Sequence, residues 1–100
     1  MKNLKMKKEF KVIADLLPNN TRVLDVGCGD GSLMSFLEKE KNISVRGLEL
    51  NKENVQKCIH KGLTVIQGDA ETELNQFPVQ SFDYVVLSQT LQAFYDPNKV

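Results

Sequence analysis

The sequence predicts an α/β fold built on one open parallel sheet with strand order 3-2-1-4. Three observations carry that prediction. Short aliphatic and β-branched runs over about 22–26, 43–50, 63–67 and 82–87 alternate with stretches of helical spacing. Strands separated by helices run parallel, because each must be regained from the same end by a long crossover. The first run leads straight into Gly27-Cys28-Gly29-Asp30-Gly31 and then into a helical pattern, the strand–turn–helix arrangement that binds nucleotide-like ligands in doubly wound sheets. Right-handed crossovers then set strands two and three on one side of strand one and strand four on the other, so the glycine turn falls at the switch point.

The elements follow in order. Met6, Phe10, Ile13 and Leu17, with Val12 and Leu16 alongside, describe an amphipathic helix within residues 1–18, ended by Pro18-Asn19-Asn20. Strand one holds Val23, Leu24 and Val26. The helix after the glycine turn buries Leu33, Phe36 and Leu37 and turns polar by Glu38-Lys39-Glu40-Lys41. Strand two contains Val45 and Leu48 and runs to Leu50. Asn51 suits the N-cap of a helix carrying Val55, Cys58 and Ile59, and Gly62 suits its C′ position. Strand three is Leu63 to Gln67. A short polar helix with Leu74 and Phe77 precedes Pro78, and strand four is Phe82 to Leu87. Ser88-Gln89-Thr90-Leu91-Gln92 opens a turn or helix, and Asp96-Pro97 starts another.

One hundred residues, 41% of them hydrophobic and 26% charged, make a single small domain over residues 1–100, or part of a larger one. A net charge of zero does not point to nucleic acid or an acidic membrane as a partner. Lys2, Lys5, Lys7, Lys8 and Lys11 read as the solvated face of the first helix, in preference to a phosphate or lipid patch. No apolar run approaches the roughly 18 residues of a membrane span, and no signal peptide is visible. Cys28 and Cys58 are too few for a disulfide scaffold and lack metal-ligand spacing, and His60 stands alone. Cysteine usage therefore fits a cytoplasmic protein with no zinc site.

The parallel strand ends share one crevice, and each carries a polar residue. Glu49 ends strand two, 18 residues after Gly31. An acidic side chain near that offset accepts ribose hydroxyls, and Leu50 beside it joins the contact set. Asp69 ends strand three, where its carboxylate suits an exocyclic amine while the Ala70 N–H meets a ring nitrogen; as a plain turn residue it would bend the chain after Gly68. Asp25 lies inside the end of strand one, either capping backbone N–H groups or receiving a ligand ammonium. Ser88 and Gln89 touch the ligand or cap a helix. Gly27, Cys28, Gly29 and Gly31 form the turn against which a ligand lies, with Cys28 as a small space-filling residue rather than a nucleophile. The glycine pattern alone also suits a nicotinamide or flavin site. The second acidic residue at strand three favours an adenosine with a charged amino-acid tail.

Taken together, these residues resemble a known family. Val23-Leu24-Asp25-Val26-Gly27-Cys28-Gly29-Asp30-Gly31 looks like motif I of class I S-adenosylmethionine (SAM) methyltransferases. Gly47-Leu48-Glu49 is similar to their ribose-binding strand, Gly68-Asp69-Ala70 to their adenine-binding strand, and Phe82-Asp83-Tyr84-Val85-Val86-Leu87 to their fourth strand. Within that superfamily the run Leu87-Ser88-Gln89-Thr90-Leu91-Gln92, with Asn54 to Cys58 and Gly62 to Asp69, resembles the methionine biosynthesis protein W (MetW) family.

The resemblance implies a truncated, Rossmann-like methyltransferase fold, SAM as cofactor and S-adenosylhomocysteine as its product. It also implies a link to methionine synthesis beside a homoserine O-acyltransferase. Two functions follow: a methyltransferase acting on a small-molecule acceptor, or a non-catalytic accessory or SAM-sensing subunit. No Asn-Pro-Pro-Tyr or Asp-Pro-Pro-Tyr run follows strand four, so methylation of nucleic-acid bases is not supported, and no catalytic residue is assigned. A sheet that stops at strand four would leave the edge of Tyr84, Val85, Val86 and Leu87 bare. That edge is the expected route to a homodimer in a short chain.

Overall fold

The computed structural model describes residues 2–76, 81–88 and 93–95. The expectations placed on Phe77, Pro78, Gln89, Thr90, Leu91, Gln92, Asp96 and Pro97, and on the side chains of Lys2, Lys5, Met6, Lys7 and Leu74, lie outside the described residues.

The elements run α1 (Lys2–Leu16), β1 (Arg22–Val26), α2 (Ser32–Glu40), β2 (Ser44–Glu49), α3 (Lys52–His60), β3 (Thr64–Gln67), α4 (Ala70–Gln76), β4 (Tyr84–Leu87) and β5 (Ala93–Tyr95). β1 is central. It pairs in parallel with β2, Val23 opposite Val45, and with β4, Val23 opposite Tyr84; β2 pairs in parallel with β3. The order 3-2-1-4 is therefore the one the crossovers predict.

One element corrects the sequence reading. β5 pairs antiparallel with β4, placing Val85 opposite Tyr95 and Leu87 opposite Ala93, so the sheet order is β3-β2-β1-β4-β5. The edge of β4 is covered within the chain, and the expected homodimer through it loses its basis. Chain geometry explains the sense of the pairing. Only five residues separate Leu87 from Ala93, too few for a parallel crossover and enough for a direct return.

Side chains alternate across the sheet with the period of a strand. On one face Val23, Val45 and Val86 pack with Ile13, Leu17, Leu33, Met34, Leu37 and Cys58 from the helical layer. On the other, Leu24, Val26, Leu48 and Val85 pack with Phe82. Leu17, Met34 and Leu37 are fully buried, each worth about 1.5–3 kcal/mol of transfer free energy.

The α1 stripe is Phe10, Ile13, Ala14 and Leu17; Val12 and Leu16 lie on its flank and are 60% and 56% exposed. Ile59 of α3 is also exposed, while Val55 and Cys58 are buried. Lys41, just past α2, donates from Nζ to the carbonyl of Ala14 at 2.8 Å and to that of Leu17, adding a side-chain donor at the end of α1. Asn51 accepts the Asn54 N–H at 3.0 Å as the N-cap of α3, and Gly62 follows that helix at φ +77°. Before β4, Asp83 clamps the start of β1. Its Oδ2 accepts the Arg22 N–H at 2.8 Å, and its own N–H donates to the Arg22 carbonyl at 2.7 Å. Among the described residues no helix is long and apolar enough to cross a membrane.

Candidate functional site

Parallel pairing brings the carboxyl ends of β1, β2, β3 and β4 to one edge of the sheet, and the β1–α2 turn lies there. Gly27, Gly29 and Gly31 all have left-handed backbones, at φ +72°, +59° and +85°. At Gly31 the requirement is double, since an added Cβ would sit 2.4 Å from Leu63 Cδ1 and 3.0 Å from Cys58 Sγ. The turn is fastened to β2 by the Gly27 N–H donating to the Leu48 carbonyl at 2.8 Å. Asp30 Oδ1 then accepts the N–H and hydroxyl of Ser32 at 3.0 and 2.6 Å, opening α2. The Ser32 hydroxyl holds the Asp30 carboxyl below its usual range.

Glu49 is the centre of this edge. It is almost wholly buried, yet both oxygens are occupied: Oε1 accepts the Gly29 N–H at 2.8 Å and Oε2 the Asn51 N–H at 2.9 Å. One carboxylate thus joins the glycine turn to the start of α3. Each oxygen keeps a lone pair beyond those bonds, enough for two further donors.

Asp25 is fully buried at the end of β1. Its Oδ1 accepts from the Ser88 hydroxyl, and its Oδ2 has no hydrogen-bond partner among the described residues. Burial is the main cause that pushes its pKa up to about 7; the Ser88 hydroxyl opposes the shift and the nearby Glu49 adds to it. Ser88 also donates its N–H to the Val26 carbonyl at 3.1 Å, so this serine joins the ends of β1 and β4.

The two cysteines meet under the turn. Cys28 Sγ lies 4.0 Å from Cys58 Sγ, and the Cys58 thiol contacts the Gly29 carbonyl at 3.3 Å. Both are free and buried, and burial pushes both thiols above their ordinary range. They are packing groups, as expected of Cys28.

Beside the glycine turn is a cleft of about 170 Å³ lined by Phe10, Gly27, Cys28, Asp30, Ser32, Leu33 and Ser88. The predicted residues Gly27, Cys28 and Ser88 meet in it, with Asp25 bonded to Ser88 and Glu49 bonded to Gly29. Leu50, Asp69 and Ala70 are not part of its lining. Leu50 is 67% exposed beyond β2. Asp69 is exposed after β3, where its Oδ1 accepts the Glu71 N–H at 3.0 Å and its carbonyl the Glu73 N–H at 2.8 Å. In this arrangement Asp69 caps α4, and Ala70 is the first residue of that helix.

Sequence reading left Phe10, Asp30, Ser32 and Leu33 out of the contact set. The Asp30-x-Ser32 spacing ahead of a helix is a readable turn signal. Phe10 offers none, because its spacing marks it only as a core residue.

Three comparisons with known proteins bear on this geometry. A bifunctional methionine biosynthesis protein MetXA/MetW from Rhodopirellula baltica is 33% identical over 89 residues, covering 81% of this chain and 14% of that protein. A SAM-dependent methyltransferase structure from Archaeoglobus fulgidus superposes with TM-score 0.71 at 28% identity, covering 99% of this chain and 43% of that one. A SAM-dependent methyltransferase from Geobacter sulfurreducens, solved with S-adenosyl-L-homocysteine, superposes with TM-score 0.50 at 25% identity over 63% of this chain and 29% of that one. The chain therefore spans less than half the length of each, and its α/β sheet is that of the class I SAM methyltransferases. The model of the methionine biosynthesis protein MetW family matches residues 7–100, and the chain belongs to that family.

Proposed function

We propose that the crevice at the carboxyl edge of the sheet binds S-adenosylmethionine and S-adenosylhomocysteine, in a methyltransferase-like protein that serves methionine synthesis. The observation that carries this reading is Glu49, a buried carboxylate bonded to the glycine turn on one side and to the start of α3 on the other. Its remaining lone pairs suit the two hydroxyls of a ribose. The unpartnered Oδ2 of Asp25 suits the ammonium of an amino-acid tail, directly or through a water. Gly27, Cys28, Gly29 and Gly31 present main chain to the ligand, and Ser88 lines its tail side. Leu50, Asp69 and Ala70 are assigned to the adenine, with the Asp69 carboxylate accepting from the exocyclic amine.

SAM, when bound, supplies an electrophilic methyl group on a sulfonium. The chain's residues hold and align it, which is most of what in-line transfer to a nucleophilic acceptor requires. No general base is assigned among them.

Calorimetric titration of the chain with S-adenosylhomocysteine tests the reading, with Glu49→Gln as the variant. The wild-type chain is expected to bind and the isosteric variant to lose roughly tenfold or more, since a buried group built to accept from hydroxyls is replaced. A folded wild-type chain that takes up no ligand refutes it.

A second reading is favoured by the Rhodopirellula relative, whose name joins a MetW to a MetXA in one protein. In it the chain is an accessory or SAM-sensing subunit of a homoserine O-acyltransferase. Adding the chain to that enzyme and measuring both acyl transfer and methylated product separates the two. Raised acyl transfer with no methylated product supports the accessory role.

A further inference from the structure

We propose that Phe10, on the helix preceding the sheet, is a ligand-contacting residue that sets affinity for the part of the ligand extending beyond its adenosine. The proposal rests on the ligand reading above. Gly27, Cys28, Asp30, Ser32 and Leu33 belong to the glycine turn and the first turn of α2, and Ser88 follows β4. Among the described residues of the lining, Phe10 alone comes from α1 and supplies the only aromatic ring.

At about 170 Å³ the cleft is a subsite, small beside the roughly 300–1,000 Å³ of pockets that hold a whole ligand. Neither Glu49 nor Asp69 lines it. A ligand whose ribose meets Glu49 therefore enters the cleft with its other end, between Ser88 and the Phe10 ring.

The ring is held in place before any ligand arrives. It packs against Phe36 of α2, with centroids 5.7 Å apart and planes at 53°, and remains only half-buried. The helix that carries it is anchored by the buried Ile13 and Leu17 and by the Lys41 hydrogen bonds to its end. A preorganised aromatic wall adds contact to a bound tail without the ordering cost of a mobile side chain.

The test compares S-adenosylhomocysteine with adenosine, by calorimetry, on the wild-type chain, Phe10→Leu, Phe10→Tyr and Phe36→Leu. Phe36 shares the ring pair but does not line the cleft, so it reports a purely structural effect. Phe10→Leu is expected to weaken S-adenosylhomocysteine roughly 3- to 10-fold and to leave adenosine within about twofold. Phe10→Tyr keeps the ring and is expected to keep the affinity, and Phe36→Leu to leave both ligands within about twofold. Parallel losses for the two ligands, equal losses in the two leucine variants, or no loss in Phe10→Leu would overturn the proposal. A wild-type chain that binds neither compound refutes the ligand reading itself, and Phe10's role with it.

Discussion

Replacing Asp25 with asparagine is expected to stabilise the protein at alkaline pH and to remove most of a pH dependence that the wild type carries. Asp25 has a pKa of about 7 in the fold against 3.8 unperturbed. Between those two values the folded state keeps a proton that the unfolded state has released, so folding stability falls as pH rises through the window. Below it the group contributes nothing to the pH dependence, and above it the cost of a buried charge is complete. Three units at about 1.36 kcal/mol each give about 4 kcal/mol. Asparagine cannot ionise and can still accept from the Ser88 hydroxyl that now donates to Oδ1. Its amide N–H groups would sit where Oδ2 has no partner, at a cost of about 1–3 kcal/mol. The variant should therefore be more stable than wild type by about 1–3 kcal/mol at pH 8 and equal or less stable at pH 4. Urea titrations followed by circular dichroism at pH 4, 5, 6, 7 and 8 measure both quantities. A difference between the two proteins that stays constant across that range would refute the reasoning, because it would mean Asp25 titrates alike folded and unfolded.

Two other substitutions or treatments follow from the same edge of the sheet. Gly31→Ala combines a left-handed backbone with a Cβ 2.4 Å from Leu63 Cδ1, and should cost about 2–4 kcal/mol in denaturant titration; a loss under 1 kcal/mol would show that the turn relaxes freely. Cys28 and Cys58, buried with raised pKa values, should react with a disulfide reagent at pH 8 only as fast as the protein opens, and at once in urea. Rapid labelling of the native chain would contradict their burial.

Much of the fold was legible because its signals are local. Aliphatic runs marked β1 to β4, Asn51 and Gly62 marked the ends of α3, and the spacing of helices between strands set the order 3-2-1-4. β5 was not legible. Three residues, Ala93-Phe94-Tyr95, are too short to show a period, and their pairing is decided by the nearness of β4 rather than by their own pattern. Val12, Leu16 and Ile59 show another limit, since an apolar side chain on a helix flank is not obliged to be buried. At the site, the residue types were visible but not their engagements. Glu49 could be placed at the end of β2 by counting from Gly31, yet its bonds to Gly29 and Asn51 depend on how two turns meet. The Asp25–Ser88 bond joins positions 63 residues apart and has no trace in either neighbourhood.

The clamp between Arg22 and Asp83 has a kinetic consequence. Ser44 lies 22 residues after Arg22, whereas Asp83 lies 61 after it. Closing the longer loop costs about 0.9 kcal/mol more in chain entropy by the logarithmic law. Loop closure thus favours the pairing of β1 with β2 as the earlier event, with β4 added to a sheet already begun. Ser88 follows β4, so the wall it gives the cleft, and the hydroxyl it gives Asp25, arrive with the last parallel strand. During synthesis the glycine turn would emerge and fold well before its pocket is enclosed, leaving a period in which Asp25 is still hydrated and ionised. Burial of that carboxylate, which raises its pKa to about 7, would then mark the moment at which the parallel part of the sheet is complete, with β5 still to pair.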